Sequence, residues 1–232
     1  MPRSPRNCPA GIVFHVLNRA NSRNRIFNEF FDYQSFIKIV IEAQQKYPSE
    51  ILSYCLMPNH WHFLIRPTQD EELSQFIGWI TNTHTRRFRS ANKSWGEGSL
   101  YQGRFKSFPV KNDRHCLIVK RYIERNPLRA NLVSNAQEWL WSSLGQAKAE
   151  QLSVEIKEVF CIPKEEWIET VNKPQSEVEL QALRASVKKG SPYGDHDWIL
   201  KTAEQIGLQS TLKQVGRPKI LKADNRTLLI RG

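Results

Sequence analysis

The chain contains one strongly predicted β-hairpin, and this hairpin constrains the fold more than any other feature. A Met-Pro-Asn turn joins two runs of strand-forming residues, at 51–56 and 60–66. Because successive side chains of a strand point to opposite faces, His60 and His62 lie on the same face of the second strand. Two neighbouring imidazoles on a rigid strand are suitable ligands for a divalent cation. From this spacing alone, an exposed strand face with two alternating histidines would be the better interpretation.

The distribution of charge indicates a polyanionic partner. The 232 residues include 34 Lys or Arg and 23 Asp or Glu, which gives a formal net charge of +11. Residues 86–129 hold twelve basic and three acidic residues, so this stretch alone has a net charge of +9. Residues 138–179 hold four basic and nine acidic residues, a net charge of −5. Because Lys and Arg contacts to phosphates release counterions, we expect salt-dependent binding to nucleic acid.

The cysteines and the hydropathy pattern predict a cytoplasmic protein. The four cysteines, at 8, 55, 116 and 161, are far apart and include no Cys-x-x-Cys pair. This spacing favours reduced thiols over a zinc knuckle or a disulfide framework. No apolar run approaches the ~20 residues that span a membrane. The N-terminal arginines are not followed by the apolar segment of a secretory signal.

The order of strand and helix patterns predicts an α+β fold: a ferredoxin-like antiparallel sheet with helices packed on one face. Helices are expected to begin near residues 32, 70 and 112, each after an acidic or amide capping residue. The predicted strands are residues 11–18, 51–56, 60–66 and 105–110.

Beyond residue 143 the sequence turns acidic and predicts a mainly helical C-terminal extension. Residues 175–188 form one predicted helix, and residues 197–212 form two short helices with a turn at Gly207. We therefore divide the chain into a first domain at 1–144, a helical extension at 145–215 and a basic, flexible tail at 216–232.

Tyr122 is the candidate nucleophile. It lies on the helix that follows the basic stretch, with Asn126 four residues later on the same face. Near a metal bound to phosphate, a tyrosine phenolate can attack phosphorus and form a covalent phosphotyrosine. Asn126 can complete the metal site through its side-chain oxygen, although Pro127 disfavours α geometry at Asn126. Spacing alone would favour a core position for Tyr122.

Three motifs together resemble one protein family. The runs MPNHWHFLI, LYQGRFKSFPV and RYIERNPLRANLV are similar, in this order, to those of the REP-associated tyrosine transposases, which are HUH single-tyrosine enzymes of bacteria. The resemblance extends from FHVLNRAN near the N-terminus to EWLWSSL near residue 144. The later segments PYGDHDW and VGRPK resemble the C-terminal extension of this branch.

The resemblance implies a reaction and a set of roles. It makes His60 and His62 ligands of Mg²⁺ or Mn²⁺ and Tyr122 the nucleophile. The family cleaves single-stranded DNA at hairpin-forming repeats, leaving a 5′-phosphotyrosine on the enzyme and a free 3′-hydroxyl that can later rejoin the DNA. The chain departs from the family where Phe14-His15 and Arg19-Ala20-Asn21 replace a tyrosine and an Arg-Gly pair. This difference bears on DNA recognition by the first strand and not on cleavage.

Several basic and aromatic residues are candidate DNA contacts. Arg104 and Lys106 flank the strand before the tyrosine helix, where they can contact backbone phosphates. Tyr101 is interleaved with these charges, as expected for base stacking on a single strand. A solvated surface is the alternative for the charged members, and burial in the sheet is the alternative for the aromatic residues. The predicted DNA-binding set is Arg3, Arg6, Arg19, Tyr101, Arg104, Lys106, Arg121 and Arg129. His84 is a candidate third histidine near the site, but a helix-surface position is the preferred interpretation, and His15 has about the same standing.

Other function classes fit the same charge pattern. The alternative to the enzyme is a hairpin DNA-binding module that cuts little or not at all. An RNA-binding protein is a third class, disfavoured because the RNP1-type aromatic signature is absent. A conventional two-metal hydrolase is disfavoured because no acidic cluster is present to hold two metals. The sequence leaves open whether the protein is a monomer or a dimer.

Overall fold

The computed structural model describes residues 6–146 and 152–213, and its centre is one four-stranded antiparallel sheet. The strands are β1 (Val13–Arg19), β2 (Glu50–Met57), β3 (His60–Arg66) and β4 (Lys106–Val110). Their order across the sheet is β2-β3-β1-β4. The predicted hairpin is confirmed, because β2 and β3 pair antiparallel across the Met-Pro-Asn turn.

Helices occupy the segments between and after the strands, which confirms the α+β class. Each helix predicted before residue 127 begins within two residues of its expected position. The helices of the described residues are α1 (Phe30–Lys46), α2 (Glu72–Ala91), α3 (Arg114–Glu124), α4 (Asn126–Arg129), α5 (Lys164–Asn172), α6 (Glu177–Lys189) and α7 (His196–Ile206). None of the described helices is both long enough and apolar enough to cross a membrane.

Helices cover both faces of the sheet, which corrects the predicted one-sided arrangement. α1 and α2 pack on the face that carries Phe14, Trp61 and Phe63. α3 and α6 pack on the opposite face, which carries Leu64 and Phe108. The physical reason is that the strands carry large apolar side chains on both faces of the sheet. Each face is therefore covered by its own pair of helices.

Both ends of the helix that carries Tyr122 are set by identifiable residues. At its start, the Asp113 carboxylate accepts a hydrogen bond from the backbone N–H of His115 (2.8 Å). At its end, α3 gives way after one residue to the single turn of α4, in which Pro127 occupies the first turn. In the first turn of a helix the backbone N–H groups have no partner within the helix, so the missing N–H of a proline costs no hydrogen bond there. Tyr122 and Asn126 therefore stay one helical turn apart.

The C-terminal residues pack against α3. The two predicted helical regions correspond to α6 and to α7 with a short 3₁₀ turn after Gly207, whereas α5 was not predicted. Trp167 of α5 donates its indole N–H to the buried carboxylate of Glu124 (2.6 Å). The proposed boundaries at residues 144 and 215 stay a prediction, and the tail at 216–232 lies outside the described residues.

Candidate active site

The two histidines of β3 lie side by side on the face that α3 covers. Their ring centroids are 5.0 Å apart and the rings are nearly perpendicular. His60 donates its Nδ1 proton to the side-chain oxygen of Asn59 (2.6 Å), because an amide oxygen can only accept. His62 is buried, and its Nδ1 forms a hydrogen bond of 2.9 Å with Nε2 of His15 on β1. Each imidazole is thus held on its Nδ1 side, His60 by the preceding turn residue and His62 by the neighbouring strand β1.

Tyr122 reaches the histidine pair from the helix above. The centroid of its ring is 6.1 Å from that of His62, with the rings perpendicular, and Tyr122 is 8% exposed. α3 contacts both β2 and β3, so the packing of apolar side chains beneath the helix sets this separation. The structure therefore brings together residues that lie 60 positions apart in the sequence.

Burial keeps both histidines of β3 neutral. It lowers the pKa of His60 to about 3, with smaller contributions from the positive charges of Arg19 and Arg129. Burial also lowers the pKa of His62 well below its usual value, and His60, His15 and the same two arginines act in the same direction. A neutral imidazole has a free lone pair, which is the form that binds a metal ion.

Asn126 and Arg129 lie beside Tyr122 and contact each other. The Asn126 amide group donates to the backbone oxygen of Tyr122 (3.1 Å), and its side-chain oxygen accepts from the Arg129 guanidinium. The central carbon of that guanidinium lies 4.3 Å from the centroid of the Tyr122 ring. Among the described residues Nη1 of Arg129 is buried and has no hydrogen-bond partner. The arrangement places a positive charge directly beside the phenol, with which the guanidinium interacts.

The residues present fit a divalent cation held by few protein ligands. The described residues contain no group of three or more His, Cys, Asp or Glu side chains arranged to hold a metal ion. The donor set is instead two neutral imidazoles with the nearby amide of Asn126, a mixture of nitrogen and oxygen donors that suits Mn²⁺ and is compatible with Mg²⁺. In this structure the Asn126 oxygen is bonded to Arg129, so binding a cation would require its release.

A basic groove lies along the end of β1 and the start of β4. It has a volume of about 460 Å³. Arg19 links the groove to the site, because Arg19 pairs directly with His60 across the sheet. Four predicted DNA-binding residues line the groove: Arg6, Arg19, Arg104 and Lys106.

Three other predicted DNA-binding residues are not in this groove. Tyr101 is 5% exposed, and its hydroxyl is bonded to His84 and Trp61 on the opposite face of the sheet, which corrects its assignment as a base-stacking residue. Arg121 points to the C-terminal segment, where it donates to the carbonyl oxygen of Lys173 (2.6 Å). Arg3 lies outside the described residues.

The structure places the two other histidines differently from the sequence interpretation. His84 lies on the buried side of α2 and not on its exposed surface. His15 is also buried, and it contacts His62 directly, so sequence reasoning missed a residue of the site. Alternation in β1 indicated that His15 faces away from Phe14, but only the pairing of β1 with β3 brings it to His62.

A four-stranded antiparallel sheet with a His-x-His pair on a central strand, facing a tyrosine on a helix, defines the class of HUH single-tyrosine transposases. Residues 9–126, about half of the chain, match the family model described as "Transposase IS200 like". The chain belongs to this family.

Two relatives support the same assignment and confirm the resemblance noted in the sequence, and a solved structure shows the same fold. Two curated relatives carry the name REP-associated tyrosine transposase. The protein of Haemophilus influenzae is 26% identical over 138 residues, which cover 56% of this chain and 77% of its relative. The protein of Escherichia coli K12 is 23% identical over 138 residues, 57% of this chain and 76% of its relative. A REP-associated tyrosine transposase solved with a REP hairpin is similar in fold, with a TM-score of 0.51 at 22% identity, covering 70% of this chain and 95% of that chain.

Proposed function

We propose that this protein is a metal-dependent endonuclease and strand transferase that acts on single-stranded DNA with hairpin-forming repeats. The observation that carries the proposal is the separation of 6.1 Å between the rings of Tyr122 and His62 within one chain. A nucleophile and a pair of neutral metal-binding imidazoles are the parts that phosphoryl transfer to a protein side chain needs.

Mg²⁺ or Mn²⁺ is the proposed cofactor, with His60, His62 and Asn126 as its protein ligands. When bound, the cation would polarise the scissile phosphate and stabilise the negative charge that develops on it. If Asn126 turns its oxygen to the cation, Arg129 loses its present acceptor. Its guanidinium, which already lies against the Tyr122 ring, is then free to pair with a phosphate oxygen.

In the proposed reaction, each bond from phosphorus to oxygen that breaks is replaced by a new bond of the same type. The Tyr122 hydroxyl gives up its proton to water, and its oxygen forms a bond to phosphorus. The bond from phosphorus to the 3′-oxygen breaks, and that oxygen takes up a proton. The products are a 5′-phosphotyrosine and a free 3′-hydroxyl. In the rejoining step a 3′-hydroxyl attacks the phosphotyrosine and restores the tyrosine, so no external energy source is required.

The groove beside the site suggests how the strand is bound. Arg6, Arg19, Arg104 and Lys106 line it, and phosphate contacts from such side chains position a strand without reading its sequence. The solved relative with a REP hairpin supports hairpin DNA as the partner. We assign cleavage to residues 1–144 and expect the protein to act in the cytoplasm, where bacterial DNA lies.

Covalent capture tests the proposal. The full chain is incubated with a pool of single-stranded hairpin oligonucleotides and Mn²⁺, and adducts are separated on a denaturing gel. We expect an adduct that a chelator prevents and that maps to Tyr122. Tyr122→Phe should abolish it, whereas Tyr47→Phe, a change at the partly exposed end of α1 on the other side of the sheet, should leave it unchanged.

The histidine pair provides the second arm of the test. The double change His60→Ala and His62→Ala should remove the adduct while much of the DNA affinity is retained. An adduct that persists in Tyr122→Phe would assign the nucleophile to another residue. Tight hairpin binding without any adduct from the unaltered chain would favour the DNA-binding module instead.

A further inference from the structure

His15 lies at the centre of the site without any role in the proposed chemistry. It is fully buried in β1, and its Nε2 is 2.9 Å from Nδ1 of His62. The two rings are stacked, with centroids 5.0 Å apart and an angle of 20° between their planes. Phe108 and Tyr122 pack edge-on against the same ring, at 4.9 and 6.2 Å. The imidazole of His15 is therefore held in one orientation.

This buried histidine has a cost for stability. Among the described residues, Nδ1 of His15 is buried and has no hydrogen-bond partner. A buried polar atom without a partner destabilises a fold by about 1–3 kcal/mol, and an apolar side chain in its place would avoid that loss. An unsatisfied buried group of this kind needs an explanation, and within the described residues the side-chain hydrogen bond of His15 is the one to His62.

The bond can be made in two ways, and they differ in their consequence for His62. A hydrogen bond between two neutral imidazoles needs one N–H and one lone pair. If His15 donates, His62 carries its proton on Nε2 and that nitrogen cannot bind a cation. If His62 donates from Nδ1, its Nε2 keeps a lone pair. A neutral His15 with its proton on Nδ1 has a lone pair on Nε2, the nitrogen that lies 2.9 Å from Nδ1 of His62, and can serve as this acceptor.

The second histidine of the pair has an equivalent arrangement. His60 donates its Nδ1 proton to the Asn59 side-chain oxygen at 2.6 Å, so its Nε2 also keeps a lone pair. Each histidine of β3 thus has a hydrogen-bond partner on its Nδ1 side, Asn59 for the first and His15 for the second. Metal-binding histidines are commonly oriented in this way by an acceptor on the other ring nitrogen.

We propose that His15 is a positioning residue for the metal ligand His62: its Nε2 accepts the Nδ1 proton of His62 and so directs the Nε2 lone pair of His62 to the cation. This inference rests on the proposed function, because it assumes that His62 binds a metal. It assigns His15 no contact with the cation, the DNA or the reacting atoms.

The test compares Mn²⁺ binding by the full chain in the absence of DNA, followed by electron paramagnetic resonance of the free ion. His15→Phe keeps a flat ring between His62 and Phe108 but removes the acceptor. His15→Gln places an amide oxygen near the position of Nε2 and restores an acceptor. His84→Phe is the matched control, since His84 is also a buried histidine with a pKa lowered to about 3, on the opposite face of the sheet.

We expect Mn²⁺ to bind about 10–100-fold more weakly to His15→Phe, the usual effect of losing such an orienting partner. His15→Gln should stay within about threefold of the unaltered chain on the same scale, and His84→Phe should match it. Equal affinities of His15→Phe and the unaltered chain would overturn the inference and leave the proposed function standing. Equal weakness of the Phe and Gln variants would also overturn it, because packing would then explain the loss.

A second measurement needs no substitution and decides the matter if His15→Phe does not fold. Long-range ¹⁵N–¹H spectra distinguish the two tautomers of each imidazole, and they are recorded on the unaltered chain without a metal ion, so that the tautomer of His62 reports on His15 alone. The inference requires the Nδ1–H tautomer for His62, and the Nε2–H tautomer would overturn it. If the unaltered chain binds neither Mn²⁺ nor Mg²⁺, the proposed metal site fails, and the inference fails with it.

Discussion

The buried carboxylate of Glu124 offers a sharp test of how the tyrosine helix is held. Glu124 is 1% exposed and accepts four hydrogen bonds from side chains in different parts of the chain. The donors are Ser53 (3.2 Å), Ser143 (2.6 Å), Lys120 (2.9 Å) and Trp167 (2.6 Å). The carboxylate therefore links β2, α3, the segment before residue 146 and α5. Tyr122 lies only two residues before it.

The change Glu124→Gln isolates the polar contribution, because the two side chains have nearly the same shape. The amide group has one acceptor oxygen, so its NH₂ must face a donor that cannot turn round, either Lys120 or Trp167. Hydrogen bonds to a charged group contribute about 1.5–3 kcal/mol each. Losing one of them and weakening the others should lower the free energy of unfolding by about 3 kcal/mol, similar to breaking a buried ion pair.

Thermal and urea unfolding of the full chain measure this loss. For a chain of this length, about 1 kcal/mol shifts the melting temperature by about 2–4 °C, so Glu124→Gln should melt about 6–12 °C lower. Glu169→Gln is the matched control. Glu169 also pairs with a lysine four residues later, at 2.6 Å, but the pair is 65% and 68% exposed, and solvent screens it. If both variants melt together with the unaltered chain, the reasoning about the buried network is refuted.

Three further predictions concern the site, the groove and the thiols. Arg129→Met should slow adduct formation about 10²–10³-fold, the usual effect of losing one donor to a developing negative charge. Arg87→Met, which removes an exposed arginine paired with Glu42, should not slow it. If Arg129→Met formed the adduct as fast as the unaltered chain, Arg129 would have no role in the reaction. DNA affinity should fall with salt, and Arg104→Ala should reduce the slope of log affinity against log salt by about 0.7, the value for one single-strand phosphate contact. Lys157→Ala, on the opposite edge of the sheet, should leave that slope unchanged. If both substitutions reduced the slope equally, the result would argue against the groove as the DNA-binding surface. Iodoacetamide should modify Cys161 alone, because Cys8, Cys55 and Cys116 are buried and burial raises their pKa, to about 11 for Cys8 and about 12 for Cys116; labelling of a second site by mass spectrometry would contradict this.

Local patterns in the sequence predicted the parts of the structure that depend on local interactions. The alternation in 60–66 predicted a shared face for His60 and His62, and their ring separation of 5.0 Å confirms it. A capping residue at 112 or 113 predicted the start of the tyrosine helix, and Asp113 is the residue that caps it. In both cases the information lies within a few residues, because strand alternation and helix capping are properties of neighbouring positions.

Pairings between distant segments could not be predicted in this way. His15 is 47 residues from His62, and their contact depends on β1 inserting between β3 and β4. Tyr101 has the aromatic side chain expected of a base-stacking residue. In the structure its hydroxyl forms hydrogen bonds with Trp61 and His84 in the core. Alternation gives the face of a side chain but not the strand next to it, and the register of strands distant in sequence is set by the packing of the whole sheet.

The same limit applies to the basic charge from which DNA binding was predicted. Arg121 and Arg125 contribute to the net charge of the basic stretch, but both point to the end of α5, where they donate to carbonyl oxygens of Lys173 (2.6 Å) and Val171 (2.8 Å). The last carbonyls of a helix lack partners within it, and positive charge is favourable there. These two arginines therefore hold α5 against the tyrosine helix instead of facing a strand. The basic charge that remains for DNA contacts is correspondingly smaller than the sequence indicates, and in our proposal these contacts lie in the groove beside β1 and β4, where Arg19 pairs with His60.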